Sequence, residues 1–154
     1  MAKFPTTVEK SITVKAPIEK VYAYLWDAVT SSVCIAGIDH CKKVGDETYC
    51  FVFETKSVGP VSMDVQYTAR YEGNGTDSIS FKTFGAQGDN TDVEGHFRLK
   101  ATGDATKISL KQMAAPDTPV PRLIQGMLRS FVESEAEKTV KEFLANVKRA
   151  LETA

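Results

Sequence analysis

The sequence contains few of the residue patterns that most often reveal chemistry. It has only two histidines and three cysteines in 154 residues. Because Cys34, Cys41 and Cys50 are odd in number and match no zinc-binding or redox spacing, we interpret them as reduced thiols in apolar surroundings. No histidine pair stands with a carboxylate at ligand spacing, and neither a glycine-rich phosphate loop nor a GxSxG motif occurs. The sequence therefore predicts neither a metal site nor a cofactor.

An excess of charge of one sign is also lacking. The chain has 19 basic and 20 acidic residues, and no basic cluster is visible along it. This balance disfavours nucleic acid or an anionic membrane as a partner. The first ten residues lack the apolar core of a signal peptide, and no run approaches the roughly 18 apolar residues of a membrane-spanning helix. We therefore expect no integral membrane segment and a cytoplasmic protein.

What the sequence does contain is one long amphipathic stretch near its C-terminus. Apolar residues recur there with the three-then-four spacing of a helical face, from Leu123 to Leu151. The pattern predicts a single helix over 119–151, with Thr118 as its cap and Pro119 at its first position. At 1.5 Å per residue such a helix is roughly 50 Å long, which exceeds the width of a compact domain of this size. It must therefore lie across a broad surface.

The rest of the chain predicts that surface. Residues 8–16 alternate between apolar and polar, which is typical of a half-buried strand, and Pro17 ends it. The period then changes to that of a short helix over 18–25, and a second short apolar stretch at 29–35 completes a helical pair. From there to Ala115, turn residues separate short alternating runs with no helical period. One face of the resulting antiparallel sheet is apolar and aromatic, and only the C-terminal helix can cover it.

We therefore predict an α+β protein that forms one domain over 1–154. The expected order is a strand, two short helices, six further strands and a long helix. The helix would pack in the concave face of a curved antiparallel sheet of about seven strands.

This order of elements resembles the helix-grip fold of the START-like superfamily, also called SRPBCC. By its residues the chain most resembles the carbon monoxide dehydrogenase G-subunit family, through SITVKAPIEKVYAYLWD at 11–27, CIAGID at 34–39, VGDETY at 44–49 and VGPVSMDVQYTARYE at 58–72. It departs from that family at Ala36, where proline is usual, and in stopping about where the last helix ends. The resemblance implies the fold and an internal cavity.

The expected cavity lies between sheet and helix, because a curved sheet and a straight helix cannot pack closely along their whole contact. Ordinary core packing is the alternative interpretation of the same residues. A polar hydroxyl from Tyr67 would orient an apolar guest. Gly126, inside the predicted helix, indicates a close approach to the sheet or a slight bend. The candidate ligand-binding residues are Phe51, Phe53, Met63, Val65, Tyr67, Phe81, Phe97 and Leu110 from the sheet and Ile124, Met127, Leu128 and Phe131 from the helix.

Catalytic signals are weak. His96 falls on the polar face of its strand, and adjacent residues such as Asp39 and His40 should point to opposite faces of an extended segment. We therefore predict no catalytic residue. Besides Tyr67, the plausible polar groups for a cavity are Gln112 and Arg122, and the alternation places Arg70 outside. The loop at 85–90 and the entry to the last helix at 117–121 either gate access or are ordinary surface loops.

Three hypotheses follow for the function. The first, which we favour, is a non-enzymatic or at most weakly catalytic protein that binds or carries a small hydrophobic molecule, lipid-like or quinone-like. The second is an enzyme similar to a polyketide cyclase, which the superfamily resemblance implies. The third, implied by the G-subunit resemblance, is an accessory or assembly factor for a molybdenum hydroxylase of the carbon monoxide dehydrogenase type, which requires a protein partner.

Overall fold

The computed structural model describes residues 2–3, 5–58, 61–118 and 122–153. The helical elements are α1 (Ile18–Trp26), α2 (Ala28–Ser31) with a 3₁₀ turn (Ser32–Cys34), a second 3₁₀ turn (Arg122–Ile124) and α3 (Gln125–Glu152). The strands are β1 (Ala2–Lys3), β2 (Thr6–Val14), β3 (Ile38–Gly45), β4 (Thr48–Phe53), β5 (Lys56–Val58), β6 (Val61–Met63), β7 (Gln66–Gly73), β8 (Ser78–Thr83), β9 (Thr91–Thr102) and β10 (Ala105–Thr118).

Seven of these strands form one antiparallel sheet. Its order is β2, β10, β9, β8, β7, β4, β3, and the two-residue β1 also pairs with the end of β10. The hairpin of β5 and β6 forms a separate two-stranded sheet. The α+β prediction is confirmed: a seven-stranded antiparallel sheet, short helices after the first long strand and a long C-terminal helix in a helix-grip arrangement.

The start of the last helix differs from the prediction. Thr118 does not cap the helix but ends β10, because the N-terminal strand pairs there and extends the sheet, with Ala2 opposite Thr118. The α-helix begins only at Gln125, and Ile124 at its N-cap makes no side-chain capping bond. The predicted first helical residue, Pro119, lies outside the described residues.

The predicted continuous strand over 61–71 is also interrupted. Asp64 and Val65 belong to no strand, because residues of the following loop hold the backbone there. The Asn90 side-chain amide donates to the Asp64 carbonyl over 2.6 Å, and its oxygen accepts from the Gln66 amide over 3.0 Å. Asp89 accepts from the Thr68 amide over 2.7 Å. The loop at 85–90 is thus fastened to the start of β7.

Among the described residues, the hydrophobic interior consists of two clusters. The main cluster joins the concave face of the sheet to α1 and to the C-terminal half of α3, where Val140, Leu144 and Val147 are almost completely buried. A satellite cluster, formed by Met63, Leu128 and Val132 with Ile124 and Phe131 against it, joins the β5–β6 hairpin to the N-terminal half of α3. Each methylene group buried in such clusters contributes about 0.8 kcal/mol.

Polar contacts fasten α3 to β2. Lys10 and Glu137 form an ion pair over 2.9 Å, the Lys15 amide donates to Glu152 over 2.8 Å, and Lys148 donates to the Thr13 carbonyl over 2.9 Å. Gly126 lies in the first turn of α3, and a Cβ added to it would meet no atom within 4 Å. Close approach to the sheet is therefore the wrong explanation for this glycine.

Candidate functional site

A cavity of about 220 Å³ lies between the concave face of the sheet and α3. Strands β4 and β7–β10 form its floor, α3 covers it, and Ser31, Ser32 and residues 35–37 close one side. Since protein interiors are otherwise packed at the density of organic crystals, a space of this size is a distinct feature of the fold.

Most of the residues expected at this interface do line the cavity. Those that do are Phe51, Phe53, Met63, Val65, Tyr67, Phe81, Phe97, Leu110 and Phe131. Their role in ligand binding remains a prediction.

The remaining three predicted residues, one in the 3₁₀ turn before α3 and two in its first turn, do not line the cavity. Leu128 is buried in the satellite cluster and Ile124 packs against it. Met127 is 57% exposed. Because α3 begins only after a 3₁₀ turn, its first turns face the β5–β6 hairpin, and Phe131 is the first residue of the helix to reach the cavity.

Several lining residues were not among the candidates. On α3 these include Ala136, Thr139 and Phe143, which continue the helical face of Phe131 and were identifiable from that spacing. Tyr71 lies on the same face of β7 as Tyr67, so strand alternation also indicated it. No local pattern pointed to the wall at 31–37, which depends on how α2 folds back over the sheet.

The floor of the cavity is a ladder of aromatic rings. Phe51 lies directly opposite Tyr67 in the register of β4 and β7, and their ring centroids are 4.9 Å apart at an interplanar angle of 23°. Tyr71 and Phe81 repeat this arrangement across β7 and β8 at 5.5 Å. Phe53 and Phe97 extend the ladder at centroid distances of 5.8 Å, and Phe143 of α3 contacts the Phe97 ring at 6.1 Å. Such rings present flat apolar faces that suit planar guests.

Gly95 on β9 leaves room for the Phe81 ring of this ladder. It lies opposite Phe81 in the register of β8 and β9. A Cβ at this position would lie 2.7 Å from the Phe81 ring and 2.4 Å from the Lys111 carbonyl oxygen. A glycine is therefore required here for the Phe81 ring to lie against β9.

The described residues place a few polar groups in the interior of the cavity, but no charge. Within the described part of the chain, Tyr67, Tyr71 and Gln112 line the cavity without a side-chain hydrogen bond to another residue. Burial raises the pKa of both tyrosines above the ordinary value of about 10, so their hydroxyls remain neutral donors at physiological pH. The side chain of Arg122 lies outside the described residues.

The charged lining residues all lie where the cavity reaches the surface. Lys56 on β5 forms an ion pair with Glu135 on α3, and Glu54 is exposed beside them. The side chains of Lys56 and Glu135 are 54% and 28% exposed. No other described lining residue carries a charge. We call this charged edge the mouth.

The expectation that Asp39 and His40 point apart is wrong. The register of β3 and β4 shifts between Ile38 and His40, and this irregularity lets His40 Nδ1 approach Asp39 Oδ2 to 2.7 Å. Both side chains are about half exposed, at 49% and 56%, and neither lines the cavity.

The cysteines form no disulfide. All three are free, and burial raises the pKa of Cys41 to about 11 despite a hydrogen bond with Ser32. Among the described residues, no three histidine, cysteine, aspartate or glutamate side chains are placed to hold a metal ion. Nor is any described helix both long and apolar enough to cross a bilayer.

Solved structures share this fold. A START superfamily protein from Mycobacterium smegmatis has a TM-score of 0.69 at 18% identity, covering 96% of this chain and 97% of its own. The Zhui aromatase/cyclase from Streptomyces sp. R1128 has a TM-score of 0.71 at 15% identity, covering 96% and 94%. The lipid transfer and protein localization domain of human StarD13 has a TM-score of 0.60 at 11% identity, covering 96% and 78%. At such identities the likeness shows the fold alone.

Sequence comparison shows the family. No curated protein matches the chain significantly. None of the comparisons shows the carbon monoxide dehydrogenase G-subunit family. The family described as polyketide cyclase / dehydrase and lipid transport matches residues 5–152. The chain therefore belongs to the polyketide cyclase / dehydrase and lipid transport family.

Proposed function

We propose that this protein binds and carries a small, uncharged, planar aromatic molecule in the cavity between the sheet and α3. The observation that carries the proposal is the aromatic ladder facing a space of about 220 Å³, whose interior receives no charged side chain from the described residues. A quinone or a phenol of one or two rings has the required chemistry.

The cavity volume limits the size of the ligand. A dry cavity of roughly 150 Å³ is sufficient for benzene. A space of about 220 Å³ therefore suits a bicyclic compound better than a long acyl chain, which would have to leave through the mouth. At roughly 0.6 kcal/mol for each of eleven heavy atoms, a bicyclic phenol would bind with a dissociation constant on the order of 10 μM.

The polar groups limit the chemistry of the ligand. The neutral hydroxyls of Tyr67 and Tyr71 and the amide of Gln112 can hydrogen-bond a carbonyl or hydroxyl group. A carboxylate or sulfonate inside the cavity would find no cation among the described residues, and burying an unpaired charge is costly. The carboxylate of a fatty acid could reach only Lys56 at the mouth, which Glu135 already neutralises.

The proposal is tested by titrating the protein with 2-naphthol, using the fluorescence of the ligand. We expect saturable binding, weaker binding of naphthalene, and no binding of naphthalene-2-sulfonate. Replacing Tyr67 by Phe should lower the affinity for 2-naphthol by about 2- to 12-fold, which corresponds to the loss of one neutral hydrogen bond, and should leave the affinity for naphthalene unchanged.

A pair of variants on α3 provides the matched control. Phe131→Glu puts a charge in the cavity wall and should abolish naphthol binding. Met127→Glu introduces the same charge one turn earlier, where the side chain is 57% exposed, and should bind like the wild type. The proposal fails if both variants bind equally well, or if naphthol does not bind the wild type.

A cyclase-like enzyme is the second candidate. It is favoured by Tyr67, Tyr71 and Gln112, which could orient the carbonyl groups of a reactive chain. Proton removal next to a carbonyl also needs a base, and no described histidine or carboxylate lies inside the cavity away from the mouth. The test is deuterium exchange at the α-carbon of 2-tetralone, followed by NMR. Acceleration by the protein that is lost in Tyr67→Phe would favour an enzyme over a carrier.

The accessory role for a molybdenum hydroxylase depends on the G-subunit resemblance. Part of the motif that suggests it, CIAGID at 34–39, has a role in the cavity, because Ile35, Ala36 and Gly37 line its wall. Gly37 adopts a φ of 80°, which favours glycine. Ligand binding thus accounts for these residues without a partner. Co-elution with a purified molybdenum hydroxylase in size-exclusion chromatography would instead support the accessory role.

A further inference from the structure

The convex face of the sheet carries a cluster of cations that the linear sequence conceals. Strands β9 and β10 each place every second residue on this face, so its charges are separated along the chain by buried residues. Antiparallel pairing brings them together: Lys100 lies directly opposite Lys107, and Arg98 and Lys111 lie on the same two strands. All four are exposed, and together we call them the basic patch. The expectation of no basic cluster is therefore wrong for the folded chain.

None of the four residues of the basic patch forms an ion pair with another described residue. Glu9 is opposite Lys111 in the register of β2 and β10, yet the two form no ion pair. Like charges directly opposite each other on one face of a sheet are destabilising, so the pairing of Lys100 with Lys107 has a cost. A partner that neutralises these charges would remove that cost.

The basic patch lies on the opposite side of the sheet from the cavity. Phe97 and Leu110, on the same strands, face the cavity from the opposite side of the sheet. A partner bound to the basic patch would therefore leave the cavity unobstructed.

We propose that the basic patch docks an acidic surface of a partner protein. Hydroxyl groups lie among the cations, with Ser109 directly opposite Arg98, and together they can hydrogen-bond carboxylates. No Phe, Tyr or Trp is on the solvent face of β9 or β10, so the stacking platform typical of single-stranded nucleic acid binding is missing there. Docking on a membrane through this face would turn the mouth away from the bilayer. A protein partner is the occupant that this geometry suits.

The test uses a fluorescein-labelled oligoglutamate peptide and fluorescence anisotropy at low ionic strength. We expect the wild type to bind it and the double substitution Lys100→Glu with Lys107→Glu to weaken binding by about tenfold or more. The matched control is Lys42→Glu with Lys43→Glu, which makes the same change in net charge at exposed positions of the edge strand β3. Equal losses in both variants would overturn the proposal, because only net charge would then matter. No loss in either variant would also overturn it, because the basic patch would then not be the binding surface.

Two further measurements complete the test. Vesicles of phosphatidylcholine with phosphatidylglycerol and a short DNA duplex are compared with the peptide under the same conditions. Tighter binding to either of them, lost in the basic-patch variant, would assign the patch to that partner and overturn our proposal. If the double glutamate variant does not fold, the corresponding double glutamine variant replaces it. Binding of 2-naphthol should be unchanged in all these variants, so this test is independent of the proposed ligand.

Discussion

Filling the cavity should make the protein more stable while preventing it from binding its ligand. Ala136 lines the cavity from α3, a helix in which leucine is nearly as favourable as alanine. Ala136→Leu adds three carbon atoms to the cavity wall, and burying them would contribute about 2.4 kcal/mol if they fit without strain. Allowing for imperfect packing, we expect a net gain of about 1 kcal/mol, or about 2–4 °C in Tm for a chain of this length.

Ala136→Leu should also weaken binding of the ligand. A naphthol molecule that occupied the original space would now be overpacked by about 1–3 kcal/mol, which corresponds to a loss of roughly 5- to 150-fold in affinity. The measurements are thermal unfolding by circular dichroism and fluorescence titration with 2-naphthol. The control is Ala145→Leu, the same substitution at an exposed position of the same helix, which should change neither quantity. A folded Ala136→Leu protein that binds naphthol as tightly as the wild type would refute the assignment of this cavity as the ligand site.

Three other predictions concern stability. Gly95→Ala should lower the free energy of unfolding in urea by about 1–3 kcal/mol, because the new Cβ would meet the Phe81 ring and a backbone carbonyl. Gly126→Ala should raise the free energy of unfolding by roughly 0.5–1 kcal/mol, because alanine favours a helix more than glycine does. Equal effects of the two substitutions would contradict the packing argument. Lys100→Glu should raise the free energy of unfolding by about 0.2–1 kcal/mol through an ion pair with Lys107, and high salt should remove this gain. No gain in stability at low salt would count against the described strand register. Finally, burial raises the pKa of Tyr67, so above pH 10 the unfolded chain releases its phenolic proton first and stability falls as pH rises. Above pH 10, the urea unfolding midpoint of Tyr67→Phe should fall less steeply with pH than that of the wild type. Identical slopes in the two proteins would show that the Tyr67 phenol does not cause the loss of stability.

Much of the fold was predictable because it depends on local periodicity. The alternation of β9 and β10 and the helical spacing from Phe131 to Leu151 are visible in consecutive residues, and all three elements form where expected. The start of α3 was not predictable in this way, because β10 continues to Thr118 through pairing with a strand at the other end of the chain.

In the candidate site too, features that depend on local periodicity were predictable, and those that depend on distant residues were not. Phe51 and Tyr67 were identified from alternation alone, and their stacking follows from the strand register. The break at Asp64 depends on a side chain 26 residues away, that of Asn90, so no local pattern could reveal it. The basic patch was missed for a related reason: Lys100 and Lys107 become neighbours only when the turn between β9 and β10 places them opposite each other.

The separation of the interior into two clusters has a consequence for exchange kinetics. The satellite cluster of Met63, Leu128 and Val132 is small, and the hairpin that supplies Met63 shares no strand pairing with the main sheet. Its opening therefore costs much less free energy than global unfolding, and amide hydrogens in the first turns of α3 should exchange faster than those around Val147. A guest in the cavity would escape through this opening, so its residence time would be governed by the satellite cluster and by the ion pair of Lys56 with Glu135, while the main core remains folded.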